Sequence, residues 1–268
     1  MMVASMRTAI DEARASVVPS SATMPRLGVV LALARIEAKQ MLRHPAFLLT
    51  AAFGLLLIRG AVGLGSRGDL MTNLAWFFGG LALGALIGGV LTANVAALRA
   101  RRDHVLELFG SLPSPAEART AGVLAGLVIG LGGLATVVAG IAWVLFERVD
   151  DAARETDLFL AVQYPLALVA LGALGVAVGR WIPSVLGGPL VVIAHVFTGL
   201  VWVVPWIMPT SSGISVAWHL TYLAAVILGF AMLAFARDRR TFVRFGGAAT
   251  ALGLAVVAAL QQTPPGGY

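Results

Sequence analysis

Long apolar stretches separated by short charged or proline-rich ones dominate this chain. Seven apolar runs can be marked, at residues 46–64, 70–98, 121–146, 158–179, 184–208, 216–236 and 245–260. The hydrocarbon core of a bilayer is about 30 Å thick, and an apolar helix of about 20 residues crosses it. Only thirteen residues precede Arg59 in the first run, so that helix is expected to continue to Leu64 with Arg59 reaching outward. The last run is rich in Ala and Gly and amounts to roughly 24 Å of helix. The pattern predicts an all-α polytopic membrane protein with six or seven transmembrane helices.

A different periodicity precedes these runs. Within residues 26–45, Leu27, Val30, Leu31, Ala34, Ala38, Met41 and Leu42 recur at three- and four-residue spacing, while Arg35, Lys39 and Arg43 form a basic row on another face. That is the pattern of an amphipathic interfacial helix with its cations on lipid headgroups. Pro45 then turns the chain towards the bilayer. Residues 1–25 lack the apolar centre of a signal peptide and read as a mobile cytoplasmic tail.

Composition agrees with the pattern. The chain is 59% hydrophobic and 12% charged, whereas soluble domains carry about a quarter charged residues. The net charge of +6 does not point to nucleic acid, because the basic residues flank apolar runs instead of alternating with base-stacking aromatics. Fifteen of the nineteen basic residues fall on one set of segments: the N-terminal region, residues 99–120, Arg180 and residues 237–244. Cations this close to spanning helices favour the cytoplasm, which places the N-terminus inside. The chain has no cysteine, which removes thiol catalysis and thiolate metal sites.

Several kinds of chemistry are excluded by residue type and spacing. Lys39 is the only lysine and has no glycine-rich loop before it, so there is no ATP-binding P-loop. None of the thirteen acids lies in the middle of an apolar run, which argues against ion-coupled transport. His44, His104 and His219 have no partners at metal-ligand spacing. Gly80, Gly84 and Gly88, and likewise Gly122, Gly126 and Gly130, repeat at four-residue spacing. Such rows admit close helix packing, expected within the chain more than between copies. Asn94, Gln163, His195 and Thr198, with Trp202, are the residues available to line a pathway.

The stretch Arg99–Thr120, RARRDHVLELFGSLPSPAEART, organises the rest. Arg99, Arg101 and Arg102 close one apolar run, and Val105, Leu108 and Phe109 lie at helical spacing. Leu112-Pro113-Ser114-Pro115 then breaks the chain, and Ser111 or Ser114 is placed to cap the next helix, with Glu117 in its first turn. A short amphipathic helix between two spans packs either on headgroups or on a cytosolic protein.

The order of parts resembles the permease subunit of ATP-binding-cassette (ABC) exporters of the type-2 class, particularly small actinobacterial-like ones. The resemblance covers most of residues 26–236. It rests on the interfacial helix, the Arg cluster followed by ELFGSLPSPAEAR, the glycine-rich third run, the GRWIPS turn and the Pro/aromatic segment at 204–210. It implies a six-helix transmembrane domain over residues 46–236, with the coupling loop at 99–120. Residues 237–268 would add a basic inner loop and a seventh hydrophobic segment beyond the family's usual six. Two permease subunits, forming a homodimer or heterodimer, would enclose the path, each docking on a separate cytosolic ABC ATPase. ATP and Mg would be bound there, with no cofactor held by this chain. Glu107, Leu108, Phe109, Leu112, Pro113 and Glu117 would form or border the coupling helix, and Arg35, Lys39 and Arg43 a second contact. The substrate would be an amphipathic drug, peptide, lipid or glycolipid. The alternatives are a lipid-modifying membrane enzyme using Asp103, His104 and Glu107, or a non-transporting scaffold.

Overall fold

The computed structural model describes residues 27–64, 87–99, 116–147, 154–197, 216–238 and 241–262. Among the described residues the fold is all-helical, with no strand. In chain order the helices are α1 (Leu27–Leu42), α2 (Pro45–Leu64) and α3 (Ile87–Arg99). Helix α4 joins Ala116–Leu127 to Gly133–Glu147 through a π-helical turn at Val128–Gly132. Then come α5 (Arg154–Trp181), α6 (Gly187–Phe197), α7 (Val216–Asp238) and α8 (Phe242–Gln262).

Among the described residues four helical segments are long and apolar enough to cross a membrane: Ala116–Ile141, Val162–Trp181, Ala217–Asp238 and Phe242–Gln261. They lie in the third, fourth, sixth and seventh apolar runs. Helices α3 and α6 are the described parts of runs 70–98 and 184–208. Of the six or seven crossings expected, four are matched by such helices among the described residues.

Local chemistry sets the helix boundaries. At the α1–α2 junction the His44 imidazole Nδ1 accepts the Ala46 N–H at 3.2 Å, and Pro45 occupies the first helical position, where a missing N–H costs nothing. Pro183 stops α5, and Ser184 starts α6: its hydroxyl accepts the Leu186 N–H at 3.2 Å and its carbonyl the Gly187 N–H at 3.0 Å. In α4 the π-helical turn inserts one residue into the helical repeat, and the Thr136 hydroxyl donates to the Gly132 carbonyl at 2.9 Å. The sequence did not announce this turn, because a run of Gly, Leu, Val and Ile suits either helix.

Glycines determine which helices meet. The Gly122–Gly126–Gly130 row receives α1: a Cβ at Gly126 would lie 2.9 Å from the Ala34 carbonyl oxygen, and one at Gly130 would lie 3.0 Å from the Ala38 Cα. This row is thus an intramolecular seam, and α1 buries Ala34, Ala38 and Met41 along it. Gly175 and Gly179 bring α5 onto α3, where Cβ atoms would lie 3.1 Å from the Val90 Cα and 2.9 Å from the Ala97 Cβ. Gly229 and Gly247 let α7 and α8 pair tightly, against Leu252 and Met232. Two apolar clusters result. One centres on Met41, Leu127, Leu131 and Val176, the other on Val90, Leu171, Leu223 and Ala255. The outer faces remain apolar, with Phe53, Val137, Leu228 and Val257 all exposed, as expected of surfaces that meet lipid.

Candidate functional site: the charged end of the bundle

The ends of α3, α5 and α7 and the beginnings of α4 and α8 gather at one end of the bundle, joined there by α1. Their charged residues pair across helices far apart in sequence. On α1, Glu37 and Gln40 are three residues apart and so share a face. The Arg99 guanidinium at the end of α3 donates to both, at 2.7 Å to the Glu37 carboxylate. On α4, Glu117 and Thr120 have the same spacing. Glu117 accepts from Arg244 of α8 at 2.7 Å. Thr120, wholly buried, accepts from Arg180 of α5 and donates to Asp238 of α7. The Arg180–Asp238 pair is separated by 3.8 Å, and the Asp238 side chain is only 6% exposed.

Three further contacts close this lattice. Arg244 also donates to the Phe235 carbonyl at 2.9 Å, one of the last four in α7. The Trp181 indole N–H donates to the Leu233 carbonyl at 2.9 Å. The Trp181 ring lies 5.9 Å from that of Phe245, with the Arg237 guanidinium 5.9 Å from its centre. Residues 100–115 are thereby flanked by two anchored feet: Arg99 is tied to α1, and Glu117 to α8.

Electrostatics here are a balance of burial and pairing. Burial pushes the Glu37 carboxyl above its ordinary value of 4.5, while the Arg99 guanidinium, by its charge and its hydrogen bond, and Arg180 pull it back. The net direction is upward, so desolvation outweighs the neighbouring cations. Taking away one partner of such a part-buried pair exposes the other to that cost. Fully buried pairs broken in this way lose about 3–5 kcal/mol, and exposed ones about 0–1 kcal/mol.

The residues singled out from the sequence are distributed as follows. Glu117 lies in the lattice, engaged by Arg244 of its own chain. Glu107, Leu108, Phe109, Leu112, Pro113, Thr198 and Trp202 lie outside the described residues, as does Asp103-His104. Arg35, Lys39 and Arg43 are exposed, on the side of α1 away from α4. Of His195 only the backbone is described, within α6. Asn94 and Gln163 are buried, at 1% and 3% exposure. The two do not meet: Asn94 packs on Gly179, sixteen residues and about 24 Å of helix from Gln163 along α5. Among the described residues no group of His, Asp and Glu is arranged to hold a metal ion.

Sequence reasoning missed Glu37, Gln40, Thr120, Arg180, Asp238 and Arg244 as a single network. A signal was available. An acid at the edge of an apolar helix needs a partner, and Glu37, Glu117 and Asp238 are acids of that kind with basic residues at neighbouring helix ends.

Asn94 stands apart from this network. Among the described residues neither its Oδ1 nor its Nδ2 has a hydrogen-bond partner. It sits where glycines leave room: Cβ atoms on Gly179 and Gly188 would come within 3.1 Å of Nδ2 and 3.3 Å of Oδ1. An unbonded polar group so buried costs about 1–3 kcal/mol. Compared with protein-family models, with curated proteins and with solved structures, the chain matches none.

Proposed function

We propose that this chain is the membrane-spanning permease subunit of an ABC exporter, moving an amphipathic substrate under the drive of a separate cytosolic ATPase. The observation that carries the reading is that the described residues on either side of 100–115 are both anchored. Arg99 on one side is paired to Glu37 of α1, and Glu117 on the other to Arg244 of α8. Through Thr120 the same helix start reaches Arg180 of α5 and Asp238 of α7. A push on this stretch would therefore reach α1, α5, α7 and α8 together, as a device converting closure of a partner into helix tilting requires. Leu108 and Phe109 supply the apolar contact for that partner in this reading.

The topology proposed with it has seven crossings, the last being α8, and a cytoplasmic N-terminus in a bacterial plasma membrane. Helix α1 lies at the inner interface with Arg35, Lys39 and Arg43 towards headgroups. Two permease chains enclose the path. The chain binds no cofactor of its own, and ATP with Mg sits on the partner.

The test is to purify the tagged chain from native membranes in mild detergent and assay the eluate for ATPase activity. A stoichiometric partner carrying a P-loop, lost when Leu108 and Phe109 are changed to Asp, is the expected result. A clean chain with neither partner nor hydrolysis would overturn the proposal.

A further inference from the structure

Asn94 is placed where an apolar residue would serve packing better. Its neighbours on α3 are Ala93, Ala96, Ala97 and Leu98, all buried. A polar side chain between membrane helices commonly acts as glue by bonding across the interface, but both ends of this carboxamide are without a bond. The surroundings are nevertheless shaped to it. Gly179 of α5 and Gly188 of α6 each lack the side chain that would press on it, since Cβ atoms there would lie 3.1 and 3.2 Å from Asn94 atoms, and one on Gly187 would lie in ordinary contact at 3.6 Å. The contact falls on the first turn of α6, an eleven-residue helix capped by Ser184, whose backbone dipoles favour an electron-rich oxygen.

We propose that Asn94 and the first turn of α6 form a binding site for the uncharged, hydrogen-bonding head of an amphipathic molecule, sealed in the conformation described. A carboxamide offers a donor and an acceptor side by side, which a hydroxyl, a sugar or another amide complements. An ionic head does not suit the place. Gly179, Gly187 and Gly188 beside the carboxamide carry no charge, and the Arg180 guanidinium is bonded to Thr120 and paired with Asp238. The tail is provided for just before that turn, in the α5–α6 connection, where Ile182, Val185 and Leu186 are 51%, 54% and 66% exposed. Separation of α3 from residues 182–188 would open the carboxamide beside this apolar lip. The inference deepens the reading of the chain as a path for amphipaths and rests on it for the opening motion, but it needs no ATPase.

The experiment uses the full chain in lipid nanodiscs, without partner, and two probes with the same twelve-carbon tail, both below their micellar concentrations. Dodecyl maltoside carries an uncharged sugar head, and dodecyltrimethylammonium a cation. Melting temperature is read for the wild type, for Asn94→Leu, and for Gly188→Ala, whose Cβ would press on the carboxamide. The maltoside is expected to raise the wild-type melting temperature by about 2 °C or more, the cation to do less, and both variants to lose the difference. Asn94→Leu, of similar size and without unbonded polar atoms, should itself melt at or above the wild type. An equal response to the two heads, a maltoside effect that survives both substitutions, or an Asn94→Leu protein that melts well below the wild type would each overturn the proposal. Because no ATPase is present, failure here leaves the pull-down result untouched, and failure there leaves this one.

Discussion

The seam between α1 and α4 permits a test with its own controls on one helix. A Cβ at Gly126 would lie 2.8 Å from the Glu37 Cβ, 2.9 Å from the Ala34 carbonyl oxygen and 3.1 Å from the Ala38 nitrogen. Two of those atoms are backbone, so α1 as a whole must retreat by several tenths of an ångström. At Gly133 and Gly140, farther along α4, a Cβ would meet nothing within 4 Å. Replacing Gly by Ala inside a helix contributes about 0.5–1 kcal/mol through backbone entropy at any of the three sites. That gain cancels when the variants are compared with one another. What remains is the overpacking at Gly126, about 1–3 kcal/mol. Gly133→Ala and Gly140→Ala are thus expected to melt at or above the wild type, and Gly126→Ala below both. Because the chain has no native cysteine, a Met41→Cys reporter, at a position with 0% exposure, gives a second reading. Its thiol should label faster in the Gly126→Ala background than in the Gly140→Ala one. Equal melting and equal labelling in the two backgrounds would refute the backbone contact on which the seam is argued.

Other predictions concern the charged end. Arg244→Ala removes the partner of Glu117, the donor to the Phe235 carbonyl and the cation 6.0 Å from the Phe235 ring. It should cost about 1–3 kcal/mol, between the exposed and buried limits. Adding Glu117→Gln should recover part of that loss, which a double-mutant cycle on unfolding would read. Trp181→Phe keeps the ring against Phe245 but loses the hydrogen bond to Leu233, for about 1 kcal/mol. For Glu37 the native carboxyl holds its proton more tightly than the unfolded one, because its value is raised above 4.5. Its contribution therefore favours the folded state at low pH and declines as pH rises from about 4.5 through the raised native value. Comparing wild type with Glu37→Gln across that window should show the decline in the wild type only. Arg99→Ala, which removes the counter-charge, should move it to higher pH.

Much of the architecture is legible in the chain itself. Apolar runs long enough to span, the proline breaks at Pro45 and Pro183, and the absence of any strand pattern lead to helices without tertiary knowledge. The reason is physical: backbone groups in an apolar medium must bond within their own segment, so hydrophobic length nearly suffices to predict a helix. The glycine row at 122, 126 and 130 likewise announces a close approach, since only missing side chains permit one.

What approaches it is not written there. That α1 fills the row, that Arg99 reaches Glu37 62 positions away, and that Glu117 meets Arg244 depend on how the helices are ordered around one another. Charge and hydropathy patterns constrain each helix singly and say little about its neighbours. Glu117 illustrates the difference: its first-turn position marks it as favourable to a helix start, and only three-dimensional proximity shows that it engages an arginine of its own chain. Asn94 illustrates it again. The sequence marks it as a polar residue in an apolar run, but only the packed arrangement of Gly179, Gly187 and Gly188 around it leaves its carboxamide sealed and without a bond. A single helix carries no record of what its neighbours withhold, so the runs determined the helices, while the contacts between helices decided which polar groups are joined and which are kept waiting.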